Sequence, residues 1–226
     1  MSHAEAGVRV PVEERILEAN DAIAARTRDA LAVRGIFAVE LIGAPGRGKT
    51  ELLAATLRAL AGRRRTAVLV GDLTTRRDAD RLVPWCDQVV QISTGRGCHL
   101  EAGEVRDALD GIDLDRVEVL FVENVGNLIC PVGFDLGQSA TVGLFSATEG
   151  DDKAAKHPYL VESADLLLLN KIDLLSYLPF DLPAFERDVR LLRPDAHLLR
   201  VSASTGEGLE PWIAWIEAGG KLTPGQ

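Results

Sequence analysis

The clearest chemistry in this sequence lies in a glycine-rich segment between a predicted strand and a predicted helix. Residues 43–50 read GAPGRGKT and fit the pattern G-x-x-x-x-G-K-[ST]. Glycines let backbone N–H groups surround phosphate oxygens, Lys49 can neutralise the β- and γ-phosphates, and the Thr50 hydroxyl can bind Mg²⁺. A glycine-rich turn without a ligand is the alternative. The pattern predicts a P-loop whose phosphate-binding residues are Gly43, Ala44, Pro45, Gly46, Arg47, Gly48, Lys49 and Thr50.

A second motif indicates which base the nucleotide carries. Residues 170–173 read NKID and follow a predicted strand. An aspartate at the end of N-K-x-D accepts from N1–H and the 2-amino group of guanine, whereas adenine would leave it unpaired, a mismatch worth ~10⁴ or more in selectivity. Alone, the tetrapeptide would fit a surface loop, but after a P-loop it predicts GTP recognition by Asn170, Lys171 and Asp173. The loop after a later strand should contact the guanine oxygen through Ser202, Ala203 and Ser204.

Two acidic residues at strand ends complete the phosphate side. Asp72 follows the apolar run at 66–71, and Glu123 ends the run at 118–123. Carboxylates at these places can hold Mg²⁺, directly or through water, and can orient an attacking water. A helix cap or a surface acid is the alternative for either residue taken alone. The predicted Mg²⁺ ligands are Thr50, Asp72 and Glu123, and the predicted catalytic residues are Lys49, Asp72 and Glu123.

A third group of residues has the chemistry of a transition-metal site. Cys98 and His99 are adjacent, and Cys130 follows in the run NLICP. Thiolate and imidazole are ligands that Zn²⁺ and Ni²⁺ accept. Three such ligands do not close a tetrahedron, so the site would be labile or completed by a second chain. The alternative is that these cysteines are small buried apolar residues, which is the interpretation we adopt for Cys86.

The elements that must position these residues follow from the apolar pattern. Strands alternating with helices predict an α/β fold, a P-loop NTPase with a mostly parallel sheet and helices on both faces. Apolar positions at Val12, Ile16, Ala19, Ile23 and Ala30 predict an amphipathic helix over 11–33 that precedes this core. The predicted strands are 37–42, 66–71, 118–123, 141–147, 165–169 and 198–201. We expect an N-terminal extension (1–34), a G domain (35–218) and a tail (219–226).

Composition excludes several other classes of protein. The net charge of −9 disfavours a nucleic-acid partner, because nonspecific binding to phosphates depends on clustered Lys and Arg. No apolar run approaches the ~18 residues of a membrane span. The N-terminus lacks a signal-peptide pattern, and three cysteines do not suggest a disulfide framework. We therefore expect a cytoplasmic protein with neither a nucleic-acid nor a membrane partner.

Taken together, these motifs resemble the HypB family of hydrogenase nickel incorporation proteins, metal-binding GTPases of the SIMIBI class. The resemblance runs in order across about residues 35–210. Two stretches, GCHLEA and ENVGNLICP, are specific to the family, whereas the P-loop and NKID occur in many GTPases. The matching stretches begin at residues 43, 71, 93, 123, 149, 170 and 202 and read GAPGRGKT, GDLTTRRDADRL, STGRGCHLEA, ENVGNLICPVGFDLG, EGDDKAAKHP, NKIDLL and SASTGEGL.

The resemblance implies a function as well as a fold. In this family the corresponding two cysteines and histidine bind Zn²⁺ or Ni²⁺ at a nucleotide-dependent dimer interface, which here implies Cys98, His99 and Cys130. It further implies that GTP binding and hydrolysis control nickel delivery to a [NiFe]-hydrogenase large-subunit precursor, with a HypA-type nickel chaperone as partner. Separately, we expect slow intrinsic hydrolysis, because the sequence shows no obvious arginine finger beyond Arg47.

Three other functions are compatible with some of these motifs. Urease accessory GTPases belong to the same class but carry a C-P-H metal motif and a different segment in place of ENVGNLICP. A metal-binding module would use GTP only as a structural ligand. A small-molecule kinase is disfavoured by NKID.

Overall fold

The computed structural model of the chain describes residues 12–72, 77–95 and 97–221, with side chains from residue 17 onward. Three parts of the predictions lie outside the described residues: the helix start at Pro11, the side chains of Val12 and Ile16, and the end of the predicted tail from residue 222. None of the helices in the described part of the chain combines the length and apolar character that a membrane span requires.

A seven-stranded sheet, parallel throughout, forms the middle layer of the described chain. The strands are β1 (Phe37–Ile42), β2 (Thr66–Asp72), β3 (Val89–Ser93), β4 (Val119–Glu123), β5 (Ala140–Ser146), β6 (Leu166–Asn170) and β7 (Leu198–Arg200). Their order across the sheet is β3-β2-β4-β1-β5-β6-β7. The predicted α/β architecture is therefore confirmed.

Eight helices lie on the two faces of this sheet in the described ranges. They are α1 (Val12–Val33), α2 (Lys49–Leu60), α3 (Arg77–Leu82), α4 (Ala102–Leu109), α5 (Lys153–Lys156), α6 (Pro158–Ser163), α7 (Leu182–Leu192) and α8 (Leu209–Glu217). The helices α2, α3 and α8 pack on one face. The other face is covered by α1 and α4 over one half and by α5, α6 and α7 over the other. Both faces are buried, as parallel sheets require.

The central strands are nearly continuous apolar runs, because both of their faces are covered. Every residue of β4 is buried, and so are all residues of β1 except Phe37 at its start. Within β1, Val39 packs with the core of the α2 face, while Ala38 and Ile42 face the two clusters on the opposite side. Between these two clusters lies the carboxyl group of Glu40, which is almost fully buried.

One strand and one helix face differ from the sequence predictions. The strand β3 was not predicted. It is a short edge strand whose residues are mostly half-buried, so it lacks the apolar contrast of the central strands. The helix α1 forms as predicted, but Ala19 and Ala30 are exposed. Its buried stripe consists of Asn20, Ala24, Thr27 and Leu31.

The sheet order brings several loops together at the carboxyl ends of the strands. The strand β1 lies in the middle with β4 and β5 as its neighbours, so the loops after these three strands meet at their carboxyl ends. In open α/β sheets this end of the strands is where ligands bind. The P-loop follows β1, and Glu123 ends β4.

Candidate functional site

The P-loop adopts a backbone that only glycine tolerates at two places. Gly46 and Gly48 have φ angles of 78° and 88°, in the left-handed region. A Cβ atom on Gly48 would also lie 2.8 Å from Nδ2 of Asn170. The loop ends at the N-terminus of α2, where free backbone N–H groups favour an anion. Lys49 starts this helix, and its Nζ donates to the carbonyl of Gly43 at 2.8 Å.

Thr50 and Glu123 form the part of the site that fits Mg²⁺. Thr50 Oγ1 donates to Glu123 Oε1 at 2.8 Å. The second carboxylate oxygen, Oε2, is buried and has no hydrogen-bond partner among the described residues. Burial raises the pKa of Glu123 to about 7, although the charge of Lys49 and the Thr50 hydrogen bond oppose this rise. A buried carboxylate oxygen without a partner, beside a P-loop hydroxyl, is a fitting ligand set for a divalent cation.

A cleft of about 490 Å³ opens in front of these groups. Asp72 lines it at the end of β2, so the three predicted Mg²⁺ ligands lie around one space. Burial lowers the pKa of Lys49, and the charge of Glu123 opposes this change. The cleft is lined by Pro45, Gly46, Gly48, Lys49, Thr50, Glu51, Gly71, Asp72, Asp78, Arg81, Glu123, Asn124, Val125 and Gly126.

Two charged residues of α3 belong to the cleft but were not predicted from the sequence. Asp78 and Arg81 both line it. The sequence feature that could have indicated these two residues is the charged run RRDADR shortly after Asp72. Arg81 is 54% exposed in its side chain and forms an ion pair with Glu51 at 2.5 Å. Arg81 is thus a cation near the predicted phosphate site, but its charge is already paired with that of Glu51.

Arg47 belongs to the P-loop but is not among the residues that line the cleft. Its side chain is completely buried, and Nη1 donates to the carbonyl of Leu144 at 2.6 Å. The guanidinium forms an ion pair with Glu149 and lies 4.9 Å from the ring centre of Phe145. Burial lowers the pKa of this group, and the charge of Glu149 opposes the change. The side chain therefore joins the P-loop to β5 and the turn that follows it.

The NKID segment is tied to the P-loop by two side chains. Asn170 is buried, and its Nδ2 donates to the carbonyl of Arg47 at 2.9 Å. Its Oδ1 accepts from the backbone N–H of Ala203 at 3.1 Å. Lys171 Nζ donates to the carbonyl of Gly46 at 2.6 Å. These bonds bring the predicted base-binding and phosphate-binding residues into one site.

The carboxylate of Asp173 is oriented by the serine loop. Ser202 Oγ donates to Oδ1 at 2.6 Å, and Ser204 Oγ lies 3.4 Å from Oδ2. Lys171, two residues earlier, is the only non-glycine residue with positive φ in the described ranges. This left-handed residue turns the chain sharply after β6, so that Asp173 lies beside Ser202 and Ser204. The carboxylate is thus held in one orientation, as bidentate recognition of a base requires.

Cys98, His99 and Cys130 lie together although the first and the last are 32 positions apart in the sequence. Their ligand atoms are all within 4.8 Å of one another. A hydrogen bond with Cys130 is the main cause of a raised pKa at the Cys98 thiol. His99 Nε2 is buried without a hydrogen-bond partner in the described part of the chain. Two adjacent thiols and an unpaired imidazole nitrogen fit Zn²⁺ or Ni²⁺.

Neighbouring groups fix this cluster in place. The ring of His99 lies against that of Phe134, with 3.9 Å between the ring centres. The next residue, Leu100, is fully buried in the core on the α1 and α4 face. Cys86, in contrast, is not part of this cluster, is buried, and donates to the carbonyl of Thr66 at 3.3 Å. It has the structural role predicted for it.

Asn124 connects the two sites and was not predicted from the sequence. It follows Glu123 directly, and its Oδ1 accepts from the backbone N–H of Leu100 at 3.0 Å. Its Nδ2 donates to Glu40 Oε1 at 2.7 Å. No sequence pattern marks Glu40 or Asn124 as partners, because the bond between them joins residues 84 positions apart.

The segment from Asn124 to Cys130 also touches the P-loop. Gly43 and Asn127 form an antiparallel bridge. A Cβ atom on Gly126 would lie 2.8 Å from Cγ of Pro45, so only glycine permits this approach. The segment that carries Cys130 is therefore packed against the predicted phosphate-binding loop.

Comparison with known proteins agrees with this arrangement. The family model described as "CobW/HypB/UreG, nucleotide-binding domain" matches residues 37–200. The hydrogenase maturation factor HypB of Azotobacter vinelandii is 46% identical over 206 residues, which span 91% of this chain and 68% of that protein.

Two solved structures have the same fold. The hydrogenase maturation factor HypB of Archaeoglobus fulgidus is 36% identical, with a TM-score of 0.83 over 89% of this chain and 98% of that one. HypB of Helicobacter pylori, solved in complex with nickel, is 33% identical, with a TM-score of 0.84 over 88% of this chain and 94% of that one.

Proposed function

This chain belongs to the HypB family of hydrogenase maturation factors, and on that basis we propose that it is a GTPase whose nucleotide state controls nickel binding and delivery. The observation that carries the proposal is the direct packing of two sites. The segment that starts at Glu123 lies on the P-loop and ends in Cys130. One continuous segment thereby carries both a proposed Mg²⁺ ligand, Glu123, and a proposed nickel ligand, Cys130.

The proposed nucleotide is GTP rather than ATP. Asp173 presents a carboxylate held by two serine hydroxyls, which matches the N1–H and 2-amino donors of guanine. An adenine base would leave this carboxylate without a partner, which is the kind of mismatch that gives strong selectivity. Asn170 and Lys171 brace the base site against the P-loop, and the backbone N–H of Ala203 borders it.

The proposed reaction is hydrolysis of the γ-phosphate. Mg²⁺, when bound, would neutralise negative charge on the phosphates, and its ligands would be Thr50, Asp72 and Glu123. Lys49 stabilises charge on the β- and γ-oxygens. No unpaired arginine lines the described part of the cleft, because Arg47 points away and Arg81 is paired with Glu51. We therefore expect slow intrinsic turnover, ~10⁻⁴ to 10⁻² per second.

Nickel is proposed as the cargo, bound by Cys98, His99 and Cys130. The set supplies three ligands from one chain. A second copy of the chain, assembled in the GTP state, would complete the coordination. Zn²⁺ is the alternative occupant, because it accepts the same ligands.

The γ-phosphate would order the segments that carry the metal ligands. Glu123 is followed by Asn124, which holds Leu100 next to His99, and by the chain that reaches Cys130. A shift of Glu123 would therefore be passed to His99 through Asn124 and Leu100, and to Cys130 through the segment between them. In the GTP state the ligand sets of two copies come together, and after hydrolysis they separate and release nickel.

The proposed partners follow from the family rather than from this chain's geometry. They are a HypA-type nickel chaperone and a [NiFe]-hydrogenase large-subunit precursor, with the cytoplasm as the site of action. We propose no nucleic-acid partner, consistent with the net charge of −9.

The metal site can be tested by stoichiometry. Nickel content should be measured after equilibrium dialysis with a non-hydrolysable GTP analogue, alongside sedimentation, for wild type, Cys98→Ala and Cys130→Ala. Cys86→Ala is the matched control, because Cys86 lies outside the cluster and is buried. We expect nickel in the dimer of wild type and of the control and its loss in the other two variants. Unchanged stoichiometry in both cluster variants would remove this site from the proposal.

A further inference from the structure

The helix α1 carries a buried polar side chain where an amphipathic helix should be apolar. Asn20 is only 6% exposed and begins the buried stripe that continues through Ala24 and Leu31. A buried carboxamide costs free energy unless its donor and acceptor are both paired. At Asn20 both are paired, and the partners come from two distant parts of the chain.

The two partners are backbone groups next to the metal ligands. Asn20 Nδ2 donates to the carbonyl of Asp135 at 2.7 Å, five residues beyond Cys130. Asn20 Oδ1 accepts from the N–H of Ala102 at 2.8 Å, three residues beyond His99. One side chain thus binds both segments that supply the predicted nickel ligands.

Close packing on α1 surrounds these bonds. Gly137 has a φ angle of 87°, and a Cβ atom there would lie 2.7 Å from the carbonyl oxygen of Ala24. Arg28 forms an ion pair with Asp135 at 2.5 Å. On the other side, α4 begins at Ala102 and packs along α1. Neither segment can shift far while it remains bound to Asn20.

We propose that Asn20 is a positioning residue for the metal site, holding the segments of His99 and Cys130 at the separation that lets them bind one ion. The inference rests on the proposed metal-binding function. It also gives α1 a role in that function, although Asn20 does not touch the metal ligands. Preorganised ligands bind more tightly because less conformational freedom is lost on binding, and supporting hydrogen bonds provide that preorganisation.

The test compares Asn20→Ala with Leu31→Ala. Leu31 is buried in the same stripe, about three turns further along α1, so its truncation weakens the docking of the helix without touching either hydrogen bond. Co²⁺ serves as the probe metal, because its thiolate-to-metal absorption reports coordination as well as affinity. GTP-analogue affinity, measured without Co²⁺, reports the integrity of the nucleotide site.

We expect Asn20→Ala to weaken Co²⁺ binding by about five- to tenfold, as loss of one or two buried hydrogen bonds predicts, and to change the thiolate absorption. Leu31→Ala should retain Co²⁺ affinity within about twofold, and both variants should retain GTP-analogue affinity. Asn20→Asp keeps the side-chain volume but loses the donor to Asp135, and it should also weaken Co²⁺ binding. This variant keeps the test usable if Asn20→Ala folds poorly. Equal Co²⁺ affinity and spectra in Asn20→Asp, Asn20→Ala and Leu31→Ala would overturn the inference.

Cys98→Ala, titrated in parallel, separates this result from failure of the proposed function. Loss of Co²⁺ binding in Cys98→Ala but not in the Asn20 variants would refute the positioning role alone. Equal binding by wild type and Cys98→Ala would refute the metal site, and the positioning role with it.

Discussion

Glu40 is a buried carboxyl group in the middle strand of the sheet, and it has a measurable consequence for stability. Burial raises its pKa from 4.5 to about 7, although hydrogen bonds from Asn124 and Thr141 oppose the rise. The folded chain therefore holds this proton more tightly than the unfolded chain does. Stability contributed by the protonated group is complete below about pH 4.5 and is lost as the pH rises to about 7, by up to ~3 kcal/mol.

Glu40→Gln should remove this dependence on pH. Glutamine stays neutral and can keep the bond from Asn124, so the variant should match wild type near pH 5 and exceed its unfolding free energy by about 1–3 kcal/mol at pH 8. Urea unfolding at several pH values measures the difference. The pKa of Glu123 is also raised to about 7, but this residue is present in both proteins and therefore does not affect the difference between them. Parallel curves for the two proteins would show that Glu40 is not the titrating group.

Asp173 carries the prediction on base selectivity. Asp173→Asn should bind GTP more weakly and xanthosine triphosphate more tightly, because a carboxamide can offer a donor to the xanthine oxygen. Competition binding with GTP, ATP and xanthosine triphosphate measures this change in both proteins. If ATP competes equally with GTP for wild type, the assignment of the NKID segment is incorrect.

Individual residues differ in how far the sequence could identify them. The P-loop and the NKID segment have fixed local spacing, and the structure brings both together through Asn170 and Lys171. Asn20, Glu40 and Asn124 could not be identified, because their importance comes from bonds between residues 24 to 115 positions apart. Such pairings depend on the folded chain and leave no local pattern.

At the level of elements, the pair Arg47–Glu149 joins the P-loop to the turn after β5. Arg47→Ala should lower the unfolding free energy by about 3 kcal/mol, because it leaves Glu149 partly buried without its partner. Arg81→Ala is the matched control, since it removes an exposed ion pair with Glu51, which should cost less than about 1 kcal/mol. Chemical denaturation gives both values. Similar losses in the two variants would contradict a special role for the buried pair.

The elements themselves were largely predictable, for physical reasons. Strands buried on both faces give continuous apolar runs, and β1 and β4 were predicted from theirs. The edge strand β3 is mostly half-buried and lacked this contrast. The buried face of α1 was assigned incorrectly, because Asn20 is buried through its hydrogen bonds and an apolar pattern cannot register it.

At the level of the whole molecule, the proposed function depends on coupling between two sites at the carboxyl ends of the strands. Asn124 and the bridge between Gly43 and Asn127 join the proposed phosphate site to the segments that carry the proposed metal ligands. If these connections transmit the nucleotide state, GTP and nickel must each strengthen the binding of the other by the same factor. This reciprocity is a thermodynamic requirement and does not depend on the details of the path.

The most direct measurement is a paired titration at one protein concentration. Ni²⁺ affinity should be measured with GDP and with a non-hydrolysable GTP analogue, and the affinity for the analogue with and without Ni²⁺. We expect the analogue to tighten Ni²⁺ binding by about tenfold or more, equivalent to ~1.4 kcal/mol, and Ni²⁺ to tighten analogue binding by the same factor. Identical Ni²⁺ affinities in the two nucleotide states would contradict the account and leave a GTPase whose metal site is independent of its nucleotide.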